Sequence, residues 1–181
     1  MKTTALILID IQNIYFIEGK YLLDKPVEAA AKAREILDFF RKEHMPVVHV
    51  RHKFDTTNYK EDSNFLNDIY ELVQPVGDEK IIDKEYPNSF FETNLQEQLD
   101  ELGVENLVIA GMMSHMCVDT TVRACKDYGY NVTVIGDACT TKTLLWNGQE
   151  IDAKTVHASY MAGLNGVFAE VVSVKDYCTK K

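Results

Sequence analysis

Basic residues are in short supply in this chain: 19 Lys plus Arg stand against 28 Asp plus Glu, a formal net charge of -9. That balance excludes nucleic acid as a partner, because neutralising phosphates needs a basic face. Long apolar runs are missing as well, and none approaches the roughly 20 residues that cross a bilayer, so no membrane partner is expected. The N-terminus lacks the basic, apolar and small-residue succession of a secretory leader, and a cytoplasmic protein is the expectation. Cysteine is sparse and shows no pairing pattern: Cys117, Cys125, Cys139 and Cys178 form no CxxC pair and no regular framework, which suits reduced thiols. With only four prolines and no linker, repeat or low-complexity tract, nothing divides the chain, and residues 1–181 are expected to form a single domain. A chain of this length buries roughly 70% of the surface its unfolded form exposes, so it needs no metal or disulfide to fold.

What is present is an alternation of strand and helix signals. Thr4 to Asp10 is a near-continuous apolar run ending in a carboxylate, the pattern of a strand covered on both faces. Asp24 and Pro26 signal a helix start, and Val27, Ala30, Ile36, Leu37 and Phe40 recur at helical spacing to about His44. Val47 to Val50 then reads as a second strand. The stretch from Phe54 to Lys84 is polar and irregular, an insertion with one short helix around Phe65 to Val73. Beyond it, a helix through Leu95, Leu99 and Leu102 precedes a strand from Asn106 to Gly111. A helix from Cys117 to Gly129, a strand from Val132 to Gly136, a helix from Ala153 to Leu164 and a strand from Val171 to Val174 follow. The sum is an α/β protein, a three-layer αβα sandwich on a parallel sheet with right-handed crossovers.

Reactive groups in such sheets gather beyond the carboxyl ends of the strands. Asp10 closes the first strand, Cys117 follows the strand ending at Gly111 and opens the next helix, and Lys84 lies in a loop leading to Pro87. A helix N-terminus and a nearby ammonium both favour thiolate over thiol, and Asp10 beside them has the chemistry to take the thiol proton and later return it to a leaving amine. Position alone also allows Cys117 to be a small buried hydrophobe, and it leaves both readings open.

The segment Gly111-Met112-Met113-Ser114-His115-Met116-Cys117-Val118-Asp119-Thr120-Thr121 resembles the isochorismatase-like cysteine hydrolases. So do Asp10-Ile11-Gln12-Asn13 and Lys84 ahead of Ser89-Phe90-Phe91, and the resemblance runs over nearly the whole chain. It implies a Rossmann-like six-stranded parallel sheet and a catalytic triad of Asp10, Lys84 and Cys117. It also implies a cis peptide between Met112 and Met113, an oxyanion hole from the Met113 and Cys117 amides, and a homo-oligomer. The implied reaction is hydrolysis of an amide-type C–N bond in a small molecule through a thioester. Relatives that cleave the vinyl ether of isochorismate lack the cysteine that this chain keeps. Nicotinamidases hold a metal through an Asp-x-His motif after the second strand, where this chain reads His49-Val50-Arg51-His52-Lys53-Phe54-Asp55. His49 and His52 point to opposite faces of a strand, so one packed and one solvent-facing histidine is expected, with no metal site and no cofactor. A thiol-sensing or ligand-binding protein on the same fold is the alternative from another class.

Tyr15 and Phe16 fall where the family places pocket aromatics, although Ile14 stands where many relatives are acidic. Tyr86, Phe90 and Phe91 read either as lining of a small cleft or as core. His115 is expected at the pocket or an interface, and His157 as a satisfied core histidine. Cys125, about 12 Å from Cys117 along one straight helix, is too far for a disulfide. Trp146, before Asn147-Gly148, is a candidate lid or subunit contact.

Overall fold

The protein is described by a computed structural model over residues 3–18 and 21–180. In chain order its regular elements are β1 (Thr3–Ile9), α1 (Pro26–Lys42), β2 (Val47–His52), α2 (Ser63–Asn67), β3 (Lys80–Lys84), α3 (Leu95–Glu101), β4 (Val104–Met112), α4 (Asp119–Asp127), β5 (Asn131–Thr140), β6 (Leu144–Trp146), β7 (Gln149–Ile151), α5 (Ala153–Leu164), β8 (Glu170–Val172) and α6 (Val174–Thr179). Six strands make one sheet in the order β3-β2-β1-β4-β5-β8, every pairing parallel. This is the expected three-layer αβα sandwich.

The apolar run of β1 has no alternation because both faces of its strand are covered. Leu6 and Leu8 enter a core with α1 and α6, while Ala5, Ile7 and Ile9 enter a second core with α3, α4 and α5. Successive side chains point to opposite faces, so one strand feeds both cores. Helix α1 buries Ala30, Ala33, Ile36, Leu37 and Phe40 at helical spacing. Its start is less orthodox than the sequence suggests. Pro26 occupies the first turn, but the capping position is Lys25 in a left-handed conformation, and the Asp24 backbone amide donates to Thr141 instead.

Three elements depart from the sequence reading. The insertion does not run to Lys84, because Lys80–Lys84 is the edge strand β3; its alternating, half-solvated side chains carry too little apolar signal to mark it. Val174 does not end a strand but opens α6, capped by Ser173, whose hydroxyl accepts from the Asp176 amide. Trp146-Asn147-Gly148-Gln149 is a hairpin between β6 and β7, with Asn147 at φ 49° and Gly148 at φ 76°. Asn-Gly is the dipeptide that such tight turns favour. Trp146 itself is 75% exposed.

Candidate active site

Strand β1 is paired to β2 on one side and β4 on the other, so the direction of strand addition reverses there and a crevice opens beyond the carboxyl ends of β1 and β4. Asp10 follows β1 directly. Its amide donates to Val50 at 2.9 Å, and its φ of 53° lies in the left-handed region, which Asp enters more readily than most residues. Opposite, Gly111 pairs with Ile9 at φ 148°, and a Cβ there would lie 2.1 Å from the Ile9 carbonyl oxygen. Only glycine lets the two backbones come so close.

After β4 the Met112–Met113 peptide is cis. A π-helical turn, Ser114–Val118, then runs into α4. Cys117 therefore sits in this turn just ahead of α4, and does not open a regular helix as the sequence suggested. The Met113 carbonyl accepts from the amides of Met116 and Val118. Two histidine bonds tie the turn down: Ser114 Oγ meets His157 Nδ1 of α5 at 2.7 Å, and His115 Nδ1 meets Thr141 Oγ1 beyond β5. His157 is thus satisfied, as expected, but half-buried, and His115 rests against Tyr160.

Lys84 arrives from two strands away, a gap of about 10 Å at ordinary strand spacing. Its side chain crosses the end of β2, where His52 is its register partner. The ammonium lies 2.7 Å from Asp10 Oδ2, 3.0 Å from His52 Nδ1 and 3.3 Å from Cys117 Sγ. The contacts with His52 and Cys117 are hydrogen bonds, and the contact with Asp10 is an ion pair. Asp10, Lys84 and Cys117 are 0%, 2% and 3% exposed, so this cluster is closed to bulk water. The structure brings together all three residues singled out for the reaction centre.

The electrostatics follow from one ammonium facing two acidic groups in a dry place. Burial raises the Asp10 carboxyl above its usual range, and Lys84 offsets only part of that rise. Burial, followed by the Asp10 charge, likewise pushes the Cys117 thiol up, with Lys84 again opposing. This reverses the expectation of a lowered thiol pKa. A single positive charge balances a single negative one, and a second anion would be desolvated without a partner. The charge balance thus favours a single anion beside Lys84, and the titrations of Asp10 and Cys117 depend on each other.

His52 corrects another expectation. It is half-buried within the cluster rather than solvent-facing, and burial followed by the Lys84 charge lowers it to about 4. His49, the packed member of the two, bonds to Glu79 at 2.9 Å. The donor atoms of Asp10, His52 and Cys117 lie within 4.8 Å of one another, a spacing compatible with a metal ion. All three already face the Lys84 ammonium, so a tethered cation takes the lone pairs a metal would use.

Tyr15 is buried beside the centre, its phenol raised well above the usual value by burial and then by the charges of Asp10 and Cys117. Its ring meets Phe54 at 5.4 Å, and Phe54 in turn lies 4.6 Å from the His52 ring. Phe16 instead stacks on Tyr70 of the insertion, and Tyr86 packs edge-on against Phe91, both about half exposed. Phe90 is core, against Tyr128 and Tyr130. Cys125 and Cys139 are fully desolvated thiols, Cys139 pushed up to about 12.

Two residues at this end of the sheet carried no role in the sequence reading. His52 is one and Gln12 is the other. Fully buried, Gln12 donates to the carbonyls of His52 at 2.8 Å and Asn67 at 2.7 Å and accepts from the His52 amide at 2.8 Å. It clamps the end of β2 and the insertion to the exit of β1. The amide pair Gln12-Asn13 between apolar Ile11 and Ile14 was the available signal.

Residues 4–176 match the isochorismatase domain. The isochorismatase family protein YddQ of Bacillus subtilis is 44% identical over 177 residues, covering 97% of this chain and 98% of that one. Nicotinamidase 3 of Arabidopsis thaliana is 27% identical over 154 residues, covering 77% and 74%. A crystal structure of an isochorismatase from Pseudomonas putida KT2440 superposes with a TM-score of 0.89 at 37% identity, over 96% of this chain and 89% of that one. With its domain matched almost end to end and the Bacillus subtilis relative aligned along nearly its whole length, this chain belongs to the isochorismatase family of hydrolases.

Proposed function

We propose that the protein is a cysteine hydrolase cleaving an amide-type C–N bond of a small molecule through a thioester. The observation that carries this reading is the Lys84 ammonium held between Asp10 at 2.7 Å and Cys117 at 3.3 Å, away from water. In that setting the Cys117 proton moves to Asp10 as Sγ bonds to the substrate carbonyl carbon, with no change in net charge. The amides of Met113 and Cys117 stabilise the oxyanion. Collapse breaks the C–N bond, and the departing nitrogen takes the proton from Asp10. Water, giving its proton to Asp10, then attacks the thioester and releases the acid and the thiolate, which recovers a proton. Tyr15 and Phe54 lie beside the centre, and with Phe16, Tyr86 and Phe91 they are the aromatics proposed to line the substrate.

The relative named as a nicotinamidase makes nicotinamide the first compound of the test panel. Isochorismate-type cleavage needs no thiol, and a redox sensor needs no acid to protonate a leaving amine, so Cys117 held with Asp10 around Lys84 fits neither as well. Cytoplasmic location and homo-oligomeric assembly belong to the same reading. The test is turnover of primary amides by the parent protein and by Cys117→Ala, with acid-quenched mass spectrometry of the Cys117 peptide. An acyl adduct on the parent and loss of at least 10³-fold in the variant are expected, since removing an activated nucleophile costs at least that much. Full activity in Cys117→Ala would remove the proposal.

A further inference from the structure

Lys84 has three N–H bonds to give, and one goes to His52. An imidazole nitrogen facing an ammonium has to be the acceptor, so His52 is neutral and carries its proton on Nε2. Its backbone cannot drift, because Gln12 holds both its N–H and its C=O. The Phe54 ring packs against the imidazole at 4.6 Å, tilted by 49°. The charged or titratable groups facing it are Lys84 from β3, Asp10 from the exit of β1 and Cys117 from the turn before α4.

We propose that His52 is a positioning residue: its fixed Nδ1 anchors one N–H of Lys84, keeps the ammonium paired with Asp10 and bonded to Cys117, and so sets the share of Cys117 present as thiolate. Without that acceptor, a buried ammonium carries an unmet N–H, and it shifts or draws in water to satisfy it. Either response weakens the positive field at Sγ, and the proton shared by Asp10 and Cys117 moves toward sulfur. Burial and the neighbouring ammonium keep the imidazole neutral through the working range, since they lower it to about 4. His52 therefore serves as a constant acceptor and takes no part as base.

The inference rests on Cys117 as the nucleophile, but its test needs no substrate, so lack of turnover and failure of this proposal are seen separately. Iodoacetamide labelling of Cys117 is followed by peptide mapping from about pH 6 to 11 in the parent, His52→Leu, His52→Asn and His52→Gln. Access to the closed site scales labelling as a whole, so the thiolate share is read beside it as the ratio of the thiolate absorbance at about 240 nm and about pH 7, each protein minus its Cys117→Ser form, to the same difference in the unfolded proteins at about pH 11. Asn places an acceptor where Nδ1 stands, and Gln reaches instead to the place of Nε2. We expect the ratio to fall about tenfold in His52→Leu, and to return to within about threefold of the parent in His52→Asn. An unchanged ratio in His52→Leu overturns the proposal, as does His52→Asn behaving like His52→Leu. Should His52→Leu fail to fold by circular dichroism, a ratio near the parent's in Asn and a lowered one in Gln supports it, and equal ratios in the two overturn it.

Discussion

Lys84 and Asp10 close strands that are not neighbours in the sheet, yet their charged atoms lie 2.7 Å apart with both side chains fully shielded. The ammonium reaches Asp10 over the intervening strand β2, which makes the pair a bridge across the carboxyl end of the sheet as well as part of the proposed reaction centre.

Removing Lys84 leaves a buried acid with no counterion, and removing Asp10 leaves the ammonium with only the Cys117 thiol to balance it. Lys84→Met and Asp10→Asn are each expected to lose about 3–5 kcal/mol of unfolding free energy, and the double variant less than the sum of the two. Urea melts of the four proteins measure it. Strict additivity would mean the two groups do not interact.

Gln12→Leu strips partners from the His52 amide, the His52 carbonyl and the Asn67 carbonyl together. A loss on the order of 3 kcal/mol is expected, with faster hydrogen exchange at the His52 amide and through the insertion. Unchanged exchange there would show that Gln12 is no clamp.

Gly111→Ala places a methyl 2.1 Å from the Ile9 carbonyl at a φ of 148°. Because both neighbours are backbone of adjoining strands, neither can step aside, and a loss above about 4 kcal/mol or failure to fold is expected. Recovery of soluble protein with a parental melting temperature contradicts it.

At the other end of the sheet, burial acts to raise Glu79, but hydrogen bonds from Arg41, the Val76 amide and His49 prevail and bring it from 4.5 to about 2. The folded carboxyl is depressed, so its contribution is complete above pH 4.5 and is lost as pH falls toward 2. His49 and His52, both lowered by burial, add their own loss below their ordinary 6.5. In Glu79→Gln the stability lost between these two acid limits should shrink relative to the parent, while Cys117 labelling stays as it was. Denaturant midpoints across that range test the sign.

Much of the architecture was legible because its causes are local. Helices α1 and α5 show apolar residues at helical spacing, and β1 and β4 carry the apolar runs 5–9 and 107–112, as strands covered on both faces do. Strand β3 was not legible: an edge strand with one solvated face reads as loop until β2 is seen beside it. Helix α6 was missed for its brevity, and the hairpin of β6 and β7 despite its Asn-Gly turn, because its strands are only three residues long.

The site divides the same way. Asp10, Lys84 and Cys117 could be named from residue type, position and family resemblance, since an acid, an amine and a thiol beyond strand ends are recognisable one at a time. The roles of His52 and Gln12, and the direction of the Cys117 pKa, were decided only by the tertiary structure. His52 matters because β2 lies between β3 and β1, under the path of Lys84, and the thiol is raised because folding puts two acids against one ammonium without water. Sequence determines which groups are available and which stretches become strand or helix. Charge balance and hydrogen-bond count in a buried cluster are sums over neighbours distant in the chain, and those neighbours exist only once the sheet has formed.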